Sequence, residues 1–214
     1  MTSPYGTVVF DFGGVFTGSP FLTLSRAVAE RGVDAEAGLY EVFGDYARDT
    51  DHPWHRLERG EISFMDARGE IMESSSATLG VQLDLIELFA AFTSDANARP
   101  DMVELARRIG ASGRTVGLLT NNLAEFNDGW RSLLPVDELF SQVVDSSREG
   151  MRKPDPAIYH LTQERLGVED PASILFLDDA EGNIVAARDV GWHTVQVEDD
   201  YQLAITQVES LLDL

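Results

Sequence analysis

Five short apolar runs, separated by segments of helical period, constrain this sequence more than any other feature in it. They are Thr7-Val8-Val9-Phe10, Thr115-Val116-Gly117-Leu118-Leu119, the weaker Gln142-Val143-Val144, Ser173-Ile174-Leu175-Phe176-Leu177 and His193-Thr194-Val195-Gln196-Val197. Runs this brief suit strands buried on both faces of a parallel sheet. Between them, Met102, Leu105, Ala106 and Ile109 keep a 3.6 period before Gly110. Ile158, Leu161 and Leu166 form a looser stripe to Gly167, and Ile184 and Ala187 share a face stopped at Gly191. The alternation predicts an α/β fold, a doubly wound, mainly parallel Rossmann-like sheet with its site at the carboxyl ends of the strands.

One interval breaks the alternation. From about Gly18 to Asn97 the patterns are helical and no strand is convincing. Leu39, Val42, Phe43 and Tyr46 make one stripe, and Leu85, Leu88, Phe89 and Phe92 another. Ser63 can cap a helix carrying Met65 and Ile71, with Asp66 three residues on as a partial capping box. Residues 1–17 and 98–214 are therefore expected to form a core, and residues 18–97 an all-helical cap inserted after the first strand. Trp130, Trp192 and the phenylalanines at cap spacing read as packing.

Composition narrows the partners. A length of 214 residues and a hydrophobic fraction of 43% suit one full core with a smaller appended unit. The net charge of −21 argues against nucleic acid and anionic membrane surfaces as partners, because binding them requires basic patches. A phosphate substrate would be repelled at long range too, so any anion site must be built locally from a metal, a lysine and backbone N–H groups. Cysteine is absent, which excludes disulfides, thiolate chemistry and cysteine-held metals. The first residues lack a basic region followed by a long apolar run, and no stretch approaches the ~20 apolar residues of a membrane span. The cytoplasm is the expected location.

The residues that close the apolar runs carry the chemistry. Asp11 follows the first run, Thr120 and Asn121 the second, and Asp178 and Asp179 the fourth. Lys153 is the one lysine among sixteen basic residues, held in Arg152-Lys153-Pro154, where the proline restricts its backbone away from the helix. A compact ammonium suits a point-charge role that a guanidinium fork fills badly. An anionic nucleophile, a hydroxyl, a cation and a carboxylate pair are the parts needed to move a phosphoryl group onto a carboxylate. Two adjacent acids at a buried strand end repel each other, so a cation or hydrogen-bond donors must offset them; hard oxygen ligands suit Mg²⁺. Gly13 and Gly14 let the backbone turn tightly and approach a ligand. Taken singly, Asp11 and the acid pair could instead cap helices, and Thr120-Asn121 could be no more than a capped turn.

Together these segments resemble the haloacid dehalogenase superfamily. The matching stretches are Val8-Val9-Phe10-Asp11-Phe12-Gly13-Gly14-Val15-Phe16-Thr17, Leu119-Thr120-Asn121, Arg152-Lys153-Pro154, and Phe176-Leu177-Asp178-Asp179 with Asn183, in the family's order. Glu58-Arg59-Gly60-Glu61-Ile62-Ser63, with Met151-Arg152-Lys153-Pro154, resembles the branch holding α-glucose-1-phosphate phosphatase and the N-terminal phosphatase domain of soluble epoxide hydrolases. The resemblance implies a Mg²⁺-dependent phosphatase of a small phosphorylated metabolite, expected to be a sugar phosphate, working through an aspartyl-phosphate on Asp11. It makes Thr120 and Lys153 catalytic, and Asp11, the Gly13 carbonyl, Asp178 and Asp179 the metal ligands, with Asp179 the direct carboxylate and Asp178 paired to Lys153. Gly13, Gly14 and Asn121 would face the substrate, and Gly182 and Asn183 would support the acids from the next helix. Arg152 is expected to be a surface or structural charge.

Gly13 departs from the family pattern, which carries a second aspartate two residues after the nucleophile to protonate the leaving oxygen and later activate water. Such acid–base help contributes about 10²–10⁴-fold in rate. His55 is a speculative substitute, set against its being a partly exposed cap residue without a catalytic role. His52, His160 and His193 show no ligand spacing. The alternatives are a 2-haloacid dehalogenase, which uses the same nucleophile on carbon and needs no metal, and a phospho-ligand-binding protein with little turnover. A receiver domain shares the kit, but its acid pair comes first in the chain and it lacks the long helical insert.

Overall fold

A computed structural model describes residues 3–90 and 98–214. The five apolar runs form β1 (Thr7–Phe10), β2 (Thr115–Thr120), β3 (Gln142–Asp145), β4 (Ile174–Asp178) and β5 (His193–Gln196). They make one sheet in the order β3-β2-β1-β4-β5, every neighbouring pair parallel. The doubly wound α/β fold expected from the alternation is therefore the observed one. Val8, Val9 and Phe10 of the central strand β1 are fully buried, as strands covered on both faces require.

Topology fixes where chemistry can occur. From β1 the chain builds outward to β2 and β3 on one side, then returns to place β4 and β5 on the other. The crevice of a doubly wound sheet opens where that order reverses, here between β1 and β4. Register aligns Phe10 with Leu118 of β2 and Leu177 of β4, and the Asp11 N–H donates to the Leu177 carbonyl at 2.8 Å. Asp11, Thr120 and Asp178 therefore end three adjacent strands at one edge.

The sheet is flanked by α6 (Pro100–Ala111), the short α7 (Asn127–Arg131), α8 (Val136–Leu139) and α9 (Ser146–Glu149), then α10 (Pro156–Arg165), α11 (Glu181–Asp189) and α12 (Tyr201–Leu212). One hydrophobic cluster joins Phe10, Met102, Leu118, Leu177 and Val208; another joins Val9, Leu119, Ile158, Phe176 and Trp192. These are the two covered faces of the sheet. Trp192 is packing, as expected, set edge-on to Tyr159 and Phe176.

Between β1 and α6 lie α1 (Pro20–Ala29), α2 (Ala35–Phe43), α3 (Pro53–Glu58), α4 (Phe64–Leu79) and α5 (Leu85–Ala90). They bury a cluster of their own around Leu24, Val42, Trp54, Leu57, Ile71 and Leu88, which Leu123 joins from beyond β2. The capping box at α4 is complete: Ser63 accepts from the Asp66 N–H, and Asp66 accepts from the Ser63 N–H. Tyr46, expected on the stripe of α2, lies past the helix end. Gly44 stops α2 with φ +70°, and the Tyr46 ring packs edge-on to Phe21 and Phe43 instead. Phe92 and the boundary expected at residue 97 lie outside the described residues. Among the described residues no helix is long and apolar enough to cross a membrane.

Candidate active site

Lys153 is the hub of the strand-end cluster. Its side chain is buried, and Nζ donates to Asp178 Oδ2 at 2.6 Å and lies 2.8 Å from Asp11 Oδ1. Burial alone would lower its pKa; Asp11 and Asp178 outweigh burial and raise it. Asn121 fixes the lysine's backbone from both sides, donating from Nδ2 to the Lys153 carbonyl at 2.9 Å and accepting the Lys153 N–H at 2.8 Å. The amide expected to face substrate is thus committed to holding the lysine, although Asn121 does line the adjoining cavity.

Three carboxylates converge beside it. Asp11, Asp178 and Asp179 each offer an oxygen within 4.8 Å of the others. Asp178 is the more heavily engaged, accepting from the Ala180 N–H at 2.8 Å, from Asn183 Nδ2 at 3.1 Å on both oxygens, and from Lys153. Asp179 accepts from the Ser19 hydroxyl at 3.0 Å. Burial pushes Asp11 up to about 7, with Lys153 pulling it back and Asp178 adding to the rise. Burial pushes Asp179 to about 8, reinforced by Asp178 and Asp11. One ammonium does not offset three crowded acids, so an oxygen-preferring divalent cation fits the cluster.

The turn after Asp11 is shaped by these acids. Gly14 has φ +72°, and a Cβ there would sit 2.0 Å from Asp179 Oδ2. Arg99, which sequence reasoning missed, secures that turn by donating from Nη1 to the carbonyls of Gly14 at 2.6 Å and Val15 at 3.3 Å. Thr120 is buried at the end of β2 and lines the cavity with Asp11 and Gly13.

His55 is corrected. Its side chain is fully buried rather than partly exposed, it does not line the cavity, and Nδ1 accepts from the Thr50 N–H at 3.0 Å. Burial, with the neighbouring Arg152 charge, depresses its pKa to about 3. A neutral imidazole held this way is not a proton donor at neutral pH. Of the two readings of Arg152, surface or structural charge, the surface one is corrected: its side chain is fully buried. Its Nε donates to Glu58 Oε2 at 2.6 Å, and the guanidinium lies 4.7 Å over the Tyr46 ring.

The cavity over the cluster has a volume of about 600 Å³ and two unlike halves. Asp11, Thr120, Lys153 and Asp179 form the floor; Phe12, Phe21, Phe43, Trp54, Phe89, Phe126 and Trp130 supply the walls. Rings expected only to pack therefore also enclose the space over the floor. Trp54 and Trp130 are nearly buried, and neither indole N–H has a hydrogen-bond partner among the described residues. Tyr46 and Glu58 close the cavity on the α3 side, linked by a 3.0 Å hydrogen bond from the tyrosine hydroxyl.

Comparison with known proteins identifies the family and the fold. The family model described as haloacid dehalogenase-like hydrolase matches residues 5–191. The chain is 32% identical to acyl-CoA dehydrogenase family member 10 of Mus musculus over 97% of its own length and 19% of the relative's. It is 31% identical to bifunctional epoxide hydrolase 2 of Sus scrofa, over 89% of its length and 36% of that protein's. The chain thus spans about a fifth and about a third of these two relatives. A sesquiterpene phosphatase of Aspergillus oryzae is 29% identical over 93% of both chains. An (S)-2-haloacid dehalogenase of a Pseudomonas species is 24% identical over 91% of this chain and 85% of its own. A HAD family enzyme of Bacteroides thetaiotaomicron, solved with magnesium and inorganic phosphate, shares the fold with a TM-score of 0.63 at 21% identity, covering 93% of this chain and 98% of that one.

Proposed function

This chain belongs to the haloacid dehalogenase-like hydrolase family, and on that footing we propose that it is a metal-assisted phosphomonoesterase whose nucleophile is Asp11. The observation that carries the reading is the single lysine bonded to both Asp11 and Asp178 beside a third carboxylate, a set that neutralises a phosphoryl group and fits a divalent cation. Asp11, Asp179 and the Gly13 carbonyl would hold Mg²⁺, with Asp178 tied to Lys153; when bound, the cation offsets the negative charge of carboxylate and phosphate at the point of attack.

The residues divide the work. Lys153 holds one Asp11 oxygen and leaves the other to attack phosphorus, so that the new P–O bond forms as the ester P–O bond breaks and its electron pair leaves on the departing oxygen. Lys153 and the Thr120 hydroxyl stabilise charge on the phosphoryl oxygens. Water then attacks phosphorus as the aspartyl P–O bond breaks and returns its electron pair to Asp11; one proton of that water stays on the phosphate and the other passes through solvent to the departed alkoxide. Gly13 supplies no acid for the first departure, so esters whose alcohols leave easily should react faster than simple alkyl esters.

The walls bear on the substrate. A sugar phosphate, the class implied by the sequence resemblance, would meet a mainly aromatic lining, with Thr17, Thr23, Asn122 and Glu125 among its fewer polar groups. The lining favours a phosphomonoester with an apolar organic group, and the volume suits a small-molecule ligand. That the sesquiterpene phosphatase is similar along nearly its whole length supports the same direction.

A phosphomonoester panel tests the reading. Phosphate release from p-nitrophenyl phosphate, abolished by EDTA and by Asp11→Asn, is the expected result. The specificity constant should rise about 4-fold per methylene along an alkyl phosphate series, the equivalent of ~0.8 kcal/mol of burial, and glucose-1-phosphate should be poor. The dehalogenase reading keeps a foothold in the Pseudomonas relative and the missing acid at Gly13. Chloride release from 2-chloropropionate without metal, and no phosphate release from any ester, would establish it instead.

A further inference from the structure

Arg152 and Lys153 are neighbours in sequence, but their side chains enter different halves of the molecule. Lys153 reaches Asp11 and Asp178 at the strand ends. Arg152 runs the other way into the helical insertion, donating to Glu58 Oε2 at 2.6 Å and from Nη1 to the Arg48 carbonyl at 3.1 Å. Glu58 is the last residue of α3, only 3% exposed, and its second oxygen accepts from the Tyr46 hydroxyl at 3.0 Å. Both Glu58 oxygens are engaged, so the carboxylate acts as a holder. Asn121 lines the same cavity as Tyr46 and Glu58 and grips the Lys153 peptide from both sides. Hydrogen bonds thus run from Arg152 through Glu58 to Tyr46, and the backbone joins Arg152 directly to Lys153.

Two further contacts seat α3 against the sheet side. The Ser146 hydroxyl donates to the Glu58 carbonyl at 2.6 Å. Gly60, with φ +69°, brings the backbone so close that a Cβ would lie 2.3 Å from the Ser147 carbonyl oxygen. Stability is a weak explanation for the buried ion pair at the centre, because a well-packed apolar pair of similar volume is often as stable or more so. An arginine buried beside the phosphoryl-facing lysine has a better explanation in placement.

We propose that Arg152 and Glu58 are positioning residues that couple the seating of the insertion to the placement of Lys153 and Asn121 against Asp11. The proposal rests on the reading of Lys153 as the cation that meets the phosphoryl group. When α3 is seated, Glu58 holds Arg152, Arg152 holds the loop before Pro154, and Lys153 is aimed. When α3 lifts, the same loop loses its anchor, so covering the cavity and arming the site are one event.

The test uses the double substitution Glu58→Leu with Arg152→Met, which removes the ion pair without stranding a buried charge. The double variant is expected to fold with a cooperative melt near that of the parent. Its kcat for p-nitrophenyl phosphate should fall about 10–100-fold, the effect of misplacing a catalytic group by about 1 Å, while KM moves less than about 3-fold. Hydrogen exchange should rise at residues 119–122 and 151–155 together with α3. Arg152→Lys, which keeps the charge and loses the fork, should lie between parent and double variant. If the double variant does not fold, Tyr46→Phe carries the same test through the loss of one hydroxyl, with a smaller fall in kcat and the same exchange pattern. A folded double variant with parental kcat, or an exchange increase confined to α3, would overturn the proposal. If the parent hydrolyses no phosphomonoester, the phosphatase reading fails by itself, and exchange at residues 119–122 and 151–155 decides the coupling alone.

Discussion

The floor and the walls of the cavity are built by different means. The floor hangs from strand ends: β1, β2 and β4 are adjacent and in register, so whatever follows Phe10, Leu119 and Leu177 must converge. Most of the walls come from α1, α2, α3, α5 and the segment after β2, which contribute Phe21, Phe43, Trp54, Phe89 and Phe126 through helix packing that no ladder dictates. The floor is polar and crowded with charge; the walls are aromatic. A site divided this way reads as reaction type below and substrate choice above. Substitutions in the two halves should therefore fail differently.

The sharpest separation is at the nucleophile. Asp11→Asn should cost about 10⁴–10⁶-fold in kcat for every substrate alike, the scale seen when a covalent nucleophile is removed, and steady-state kinetics across the ester panel measures it. Lys153→Met should follow with a loss on the order of 10²–10³-fold, again in kcat and independent of the alcohol, because its charge acts on the transition state. In the walls, Trp54→Ala should leave p-nitrophenyl phosphate turnover within a few-fold of the parent while lowering kcat/KM for long alkyl phosphates about 10–200-fold. Equal losses on short and long esters would erase the distinction between floor and walls.

Gly14→Ala probes the seam between them. The new Cβ would meet Asp179 and sit at a positive φ, a conformation that costs a non-glycine residue about 1–2 kcal/mol. Mg²⁺ affinity, followed by titrating activity, should drop more than about tenfold with only a modest fall in melting temperature. The smallest effect is on pH. Asp11 and Asp179 are raised from 3.8 to about 7 and about 8, so between about pH 4 and pH 8 the folded metal-free chain binds more protons than the unfolded one. Its stability is therefore full below the unfolded value and declines as pH rises through 7 to 8. Saturating Mg²⁺ should raise the thermal midpoint more at about pH 8.5 than at about pH 6.

The same division explains what was legible in the sequence. Strand ends can be read because a short buried run stops at a definite residue: Asp11, Thr120 and Asp178 are found one after another, and Lys153 stands out by composition. Strand bounds fell within a residue of expectation for the same reason. Residues whose role depends on helix packing left a weaker trace. Tyr46 looked like the last member of a helical stripe, and only Gly44 hinted that the chain turns before it. Glu58 and Arg152 both lay in segments that carried the family resemblance, yet a pair 94 residues apart has no local signature. Asn121 was found for the right region and a different task, because sequence places an amide at a strand end without saying which partner takes it. Aromatic residues that both pack and line a cavity cannot be separated by period, so the apolar character of the walls became visible only in three dimensions.

The account stands on a covalent step at Asp11. Rapid acid quenching of the magnesium-loaded enzyme during turnover of p-nitrophenyl phosphate, followed by peptide mapping, reads that step directly. A phosphoryl adduct on the peptide containing Asp11, formed before steady state and absent from Asp11→Asn, is the predicted result. Turnover with no adduct at any time, or with the phosphoryl group on another residue, would contradict it.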